Sequence, residues 1–173
     1  MIAEELVARL AELEAESRIR QVIARYMELC DHLGAATPMD ELGALFSKDA
    51  MWSGKGARYG AAFGGYRGRE AIVAMLDRYR DPPHFAMNAH FLCSESIRVS
   101  GMTAAGSWMM LQTSTYADGR SDLRAAKLQI GFSLEDGDWR IAQFETENLF
   151  SRPVSAWDDP APVPVPKDKK DPR

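Results

Sequence analysis

A carboxylate, two histidines and an asparagine carry most of the chemistry this sequence offers. Ile19, Val22, Ile23, Tyr26, Met27 and Cys30 recur at the spacing of a core-facing helix, and Asp31 falls on the same stripe, four residues after Met27. Gly34 follows as a helix stop. A carboxylate turned toward a core at a helix C-terminus loses water and sits at the negative end of the helix dipole, so it demands a partner. Further on, His84, Asn88 and His90 share one parity of a strand, while Phe85, Met87 and Phe91 share the other. Histidine is the natural proton acceptor near neutral pH, and a carboxylate beside it would fix its tautomer and stabilise the imidazolium. Asp31 is the candidate partner for such a histidine. The competing expectation is a turn aspartate and histidines satisfied by backbone carbonyls.

Other chemistries find less support. His84 and His90 lie six residues apart, roughly 20 Å on an extended strand, too far to share one ion, so no metal site is expected. Nucleophile-elbow, phosphate-loop and dinucleotide fingerprints are missing, and Gly64-Gly65-Tyr66-Arg67-Gly68 reads as a turn. A net charge of −4 argues against nucleic acid or an anionic membrane as partner. No apolar run reaches the roughly 18 residues of a membrane span, and the first residues lack a signal-peptide pattern, so a cytoplasmic protein is expected. Cys30 and Cys93 read as free thiols.

The positioning elements follow from hydrophobic period. Residues 3–16, with Leu6, Leu10 and Leu13 on one face, extend the Asp31 helix backwards or form a short helix before it. Thr37-Pro38 opens a second helix as N-cap and N1, residues 49–52 form a short strand, the glycine-rich 53–67 a loop or irregular hairpin, and 68–80 a third helix. From His84 the period changes to two, giving strands near 85–99, 104–117, 123–135 and 138–149, separated by glycine turns. Helices followed by an antiparallel meander make an α+β fold: three N-terminal helices packed on a curved, mainly antiparallel sheet with a pocket between them. Residues 1–150 are expected to form one domain, followed by an extended tail, 151–173, which holds six of the nine prolines. Trp108 and Met110 share a parity with Tyr116, and Lys127 shares one with Gln129; with Trp52, Tyr66 and Phe150 they are candidate pocket walls. Lys127 and Glu145 read either as buried partners or as ordinary sheet-edge charges.

Arg25-Tyr26-x4-Asp31, Leu45-Phe46-x2-Asp49-Ala50-Met51-Trp52, Tyr66-Arg67-Gly68, His84-x3-Asn88 and Gly137-Asp138-Trp139-Arg140-Ile141 occur in that order. With them the chain resembles SnoaL-like members of the nuclear transport factor 2 superfamily over about residues 15–150. The resemblance implies a cone-shaped α+β barrel, a deep apolar pocket and a homodimer or homotrimer. Within the superfamily the chain is similar to scytalone dehydratase, bile-acid 7α-dehydratase and hexachlorocyclohexane dehydrochlorinase. These eliminate water or halide without a cofactor, using an Asp/His pair. The resemblance implies Asp31 and His84 as that pair and Tyr26 as a third catalytic residue. It leaves Asn88 and His90 as substrate contacts, His90 being a poor match to a second active-site histidine. The implied function is a cofactor-independent lyase acting on a small hydrophobic, possibly cyclic molecule. An isomerase or cyclase using the same base, and a non-catalytic binding or scaffold protein such as an oxygenase β-subunit, are the alternatives.

Overall fold

The computed structural model describes residues 2–157. Helix α1 (Ile2–Asp31) is one continuous element, and only its second half is buried, through Ile19, Ile23, Tyr26, Met27, Leu29 and Cys30. Leu6, Leu10 and Leu13 on the first half stay exposed. Helix α2 (Met39–Ala44), strand β1 (Phe46–Lys55), helix α3 (Gly56–Phe63), strand β2 (Gly65–Arg67) and helix α4 (Arg69–Asp77) follow. The chain then runs through four long strands, β3 (Phe85–Ser100), β4 (Thr103–Tyr116), β5 (Ser121–Glu135) and β6 (Asp138–Val154).

The six strands form one curved, unclosed sheet in the order β2-β1-β6-β5-β4-β3. Every neighbouring pair is antiparallel except β1 and β6. The inner face carries alternate residues, Ala126, Leu128, Ile130 and Phe132 on β5 among them, and the helices cover it. Ile19, Leu42, Phe46, Ile72, Leu128 and Ile141 are wholly buried there. Each large apolar side chain so buried contributes about 1.5–3 kcal/mol.

Three expectations change. The 53–67 segment, expected as a loop or irregular hairpin, brings β1 and β2 together as an antiparallel pair, Ser53 opposite Gly65, but the connection between them is a helix, α3. Tyr59 and Phe63, one turn apart, pack edge to face 4.9 Å between centroids, and Gly56 and Gly64 bound the helix at φ +66° and +64°. The glycines punctuate a helix rather than prevent one. Thr37 does not cap α2. Its hydroxyl donates to the His32 carbonyl (2.9 Å) and accepts from the Gly34 N–H (2.8 Å), closing the turn after α1 instead. Finally, β6 continues to Val154, and the Trp157 indole N–H donates to the Ser114 carbonyl (3.1 Å), so the sheet carries on past the expected boundary at 150. The rest of the proline-rich tail, 158–173, lies outside the described residues.

Candidate functional site

The inner face of the sheet turns polar where β3 and β4 meet the C-terminal end of α1. There Asn88 on β3 and Gln112 and Ser114 on β4 are buried polar residues, in one parity with Trp108 and Met110. Buried polar groups need partners, and here they have each other. The Asn88 side-chain oxygen accepts from Gln112 Nε2 (2.8 Å) and Ser114 Oγ (2.7 Å), while its Nδ2 faces the Cys30 carbonyl and Asp31 Oδ1, 3.4 Å from each.

Asp31 is the centre of this network. Its Oδ1 lies 2.6 Å from His90 Nδ1, and its Oδ2 accepts the His90 backbone N–H at 3.2 Å. Both side chains are largely withdrawn from solvent, 10% exposed for His90 and 18% for Asp31. An ionised carboxylate can only accept, so in the neutral ring Nδ1 carries the proton and Nε2 the lone pair. Among the described residues Nε2 has no hydrogen-bond partner, and His90 lines a cavity of about 400 Å³. That is a basic nitrogen backed by an anion and facing an open space.

The carboxylate therefore pairs with His90 and not with His84. His84 precedes β3 and is exposed. Its ring packs edge to face on Tyr79 (5.1 Å), Phe85 (4.6 Å) and Tyr116 (5.3 Å) at the mouth of the same cavity. A β-bulge explains the exchange. Phe85 pairs with Tyr116 and Met87 with Thr115, so two β3 steps oppose one on β4 and the parity shared by His84 and His90 is broken.

Tyr26 and Trp52 wall the cavity from α1 and β1. The Trp52 indole N–H donates to the Tyr26 hydroxyl (3.2 Å), and Trp52 stacks on Phe144 at 5.7 Å. Burial pushes the Tyr26 phenol well above its usual range, so it remains an O–H donor, and burial likewise pushes the neighbouring Cys30 thiol up to about 12. Met110 also lines the cavity.

Several candidate walls lie elsewhere. Lys127 and Gln129 alternate with buried Ala126, Leu128 and Ile130, so they point to the sheet's outer face and are exposed. Phe150, 47% exposed, occupies that outer face opposite Ala125. Trp108 is buried in the core, its N–H donating to Glu95 (3.1 Å), and Tyr66 stands behind Trp52; neither lines the cavity. Glu145 pairs with Lys55 (2.7 Å) rather than with Lys127. Gln112, Ser114, Tyr59 and Arg124 were absent from the sequence-based candidates. The first two were marked in the sequence by sharing Met110's parity, whereas Tyr59 and Arg124 had no local signal. Among the described residues no three His, Cys, Asp or Glu side chains converge as metal ligands.

Residues 11–145 match the sequence pattern of the SnoaL-like domain. The chain belongs to the SnoaL-like domain family. No curated protein matches this SnoaL-like chain in sequence. Among solved structures it is similar to a hexachlorocyclohexane dehydrochlorinase, LinA type 2, at 19% identity and TM-score 0.70, covering 88% of this chain and 97% of that one. A provisionally assigned scytalone dehydratase from Novosphingobium aromaticivorans gives 19% identity and TM-score 0.69, over 91% and 97%. A nuclear transport factor 2-like protein with a cystatin-like fold, also from Novosphingobium aromaticivorans, gives 28% identity and TM-score 0.68, over 83% and 88%. The shared feature is the fold, and among the described residues no helix is long and apolar enough to cross a membrane.

Proposed function

We propose that this chain is a cofactor-independent lyase in which His90, held by Asp31, is the base. The observation that carries this reading is the 2.6 Å contact between His90 Nδ1 and Asp31 inside a largely apolar cavity. His90 Nε2 removes a proton from the substrate carbon next to the one bearing the leaving group. The C–H electron pair becomes the new double bond, and the C–X bond breaks to release halide or hydroxide. The proton on Nε2 then passes to hydroxide as water, or to solvent when halide leaves. Asp31 stays ionised and stabilises the imidazolium, and the apolar walls strengthen that interaction by excluding water. The Tyr26 O–H, kept protonated by burial, is the donor placed to bond the leaving group. Asn88 lines the cavity with its polar atoms committed to Asp31, the Cys30 carbonyl, Gln112 and Ser114, so its role is to position Asp31. A cavity of about 400 Å³ walled by Trp52, Phe63 and Phe144 suits a small cyclic hydrophobic molecule.

The proposal extends to a cytoplasmic homodimer or homotrimer. Supporting this are two free cysteines and a row of apolar side chains across the outer sheet face. Phe91, Leu111 and Phe150 are 56%, 40% and 47% exposed, and Phe91 pairs with Leu111 across the strands. Light scattering of the purified protein checks the assembly, and a monomer at micromolar concentration removes it.

The decisive experiment incubates the protein with a panel of cyclic β-hydroxy ketones and polychlorinated cyclohexanes, following water loss by mass spectrometry and chloride by electrode. Turnover by the wild type and its loss in a folded His90→Gln variant are expected. A product with unchanged mass would make the same base an isomerase. Binding of panel members without turnover would make the chain a binding protein.

A further inference from the structure

One end of the cavity is not apolar. His90 on β3 faces Gln112 on β4, Gln112 faces Arg124 on β5, and Arg124 faces Ser151 on β6, a single cross-strand row that lines the cavity throughout. Two strand spacings, about 10 Å, separate the His90 and Arg124 backbones. Arg58, projecting from α3, lines the cavity as well.

The charges at this end do not balance. Arg124 Nε pairs with Asp122 Oδ2 (2.8 Å) and its Nη2 with the Tyr116 hydroxyl, which leaves Nη1 without a partner among the described residues. The Arg124 side chain is only 22% exposed, so its charge is held partly out of water. Arg58 is exposed and makes no hydrogen bond or ion pair among the described residues. One carboxylate, Asp122, thus stands near two guanidinium groups; its Oδ2 accepts from Arg124 and from the Tyr116 hydroxyl, and its Oδ1 is buried with no partner among the described residues. Burial is also the chief cause that lowers the Arg124 pKa and raises that of Asp122, and Arg58 acts on both as a neighbouring positive charge. Two guanidinium groups converging on a cavity with a net positive balance are a seat for a planar anion, which takes paired N–H donors.

We propose that the ligand of this cavity carries a carboxylate, bound by Arg124 and Arg58, at the opposite end of an apolar body from the carbon that faces His90. That this ligand is a substrate rests on the lyase reading, but the anion seat is measurable without turnover. A body of one or two rings spans the row from Arg124 to His90, with Trp52 and Phe144 along its flank. The reacting carbon is then fixed by the far end of the molecule, which converts binding energy into orientation.

Titration calorimetry with 2-naphthoate and its neutral counterpart 2-naphthamide tests this. The wild type is expected to bind naphthoate at least about tenfold tighter than naphthamide, the weight of one charge-assisted contact. Arg124→Gln should abolish that preference and Arg58→Gln reduce it, with naphthamide affinity unchanged. Arg58 is exposed and without structural partners, so its variant keeps the test valid if Arg124→Gln misfolds through the loss of Asp122's counter-charge. Equal affinities in the wild type, no binding of either probe, or a preference undiminished in Arg58→Gln would overturn the proposal. A preference retained in His90→Gln supports the seat whatever becomes of the lyase reading, so the two fail separately.

Discussion

His84 and His90 sit six residues apart, one just before β3 and one within it, and both line the same cavity, yet only one has the surroundings of a base. His90 is 10% exposed, clamped by the Asp31 carboxylate through both its ring and its own backbone N–H. His84 is exposed and packs edge to face among Tyr79, Phe85 and Tyr116, and it has no carboxylate partner among the described residues. The residue type is the same; what differs is whether a helix end is brought against the strand. The C-terminus of α1 reaches β3 at Asn88 and His90, and there a polar network fixes the imidazole. A general base is made by its second neighbour as much as by its own ring.

The largest test of that contrast is kinetic. Asp31→Asn keeps the shape of the clamp but removes the charge that stabilises the imidazolium, so kcat on any panel substrate should fall by roughly 10²–10⁴-fold. His84→Asn should leave kcat within about threefold, because no proton passes through a ring that only walls the mouth. Steady-state rates on the two purified variants decide it. A large loss in His84→Asn with a small one in Asp31→Asn would reverse the assignment.

The network behind the clamp is the next target. Asn88→Ala removes a side chain with four polar neighbours and strands Gln112 and Ser114 in a buried place. Each buried group left unsatisfied costs about 1–3 kcal/mol. The midpoint of urea unfolding should therefore drop by an amount equivalent to about 2 kcal/mol or more, whereas His84→Ala, at an exposed position, should stay within about 0.5 kcal/mol. Similar midpoints for the two variants would mean that the clamp is no stiffer than the mouth.

How far this contrast was legible in the sequence can be argued residue by residue. The helical stripe that ends on Asp31 announced a buried carboxylate, and the period-two runs placed β3 to β6 within a few residues. The choice of histidine was not legible, because parity counts assume an unbroken strand and the bulge between Phe85 and Met87 changes the face in a way that only the partner strand defines. The resemblance pointed to His84 and could not correct this. Lys127 and Gln129 are a different failure. Their alternation with Ala126, Leu128, Ile130 and Phe132 assigns them to the opposite face, so the parity that the two polar residues share marks the sheet's outer side and not the cavity. Arg124 and Arg58 meet through sheet register and helix α3, neither of which a local pattern encodes.

The thiol at the clamp end should also be unreactive. Cys30 lies in the cavity wall near Tyr26, and burial pushes its thiol up to about 12, so at pH 8.5 it stays protonated; Cys93 lies exposed on the outer face. Iodoacetamide should alkylate Cys93 within minutes and leave Cys30 unmodified in the folded protein, read by peptide mass spectrometry. The sign is fixed by burial, which disfavours the thiolate, so reactivity at Cys30 should rise only on unfolding or toward pH 12. Equal labelling of both thiols would mean that water reaches the clamp.

The subtlest test reads the proton itself. An acceptor-only carboxylate on Nδ1 leaves one neutral tautomer for His90, with hydrogen on Nδ1 and the lone pair on Nε2. Nothing around His84 makes that choice, since its contacts are ring edges and faces. In ¹⁵N spectra at a pH where both rings are neutral, His90 should show one protonated and one bare nitrogen of the Nδ1–H form, and His84 the averaged pattern of an exposed imidazole. Asp31→Asn offers an amide N–H as well as a carbonyl to Nδ1, so the strict preference at His90 should relax while the His84 signals stay in place. If His90 instead carries its hydrogen on Nε2 in the wild type, no basic nitrogen faces the cavity, and the elimination chemistry falls with it.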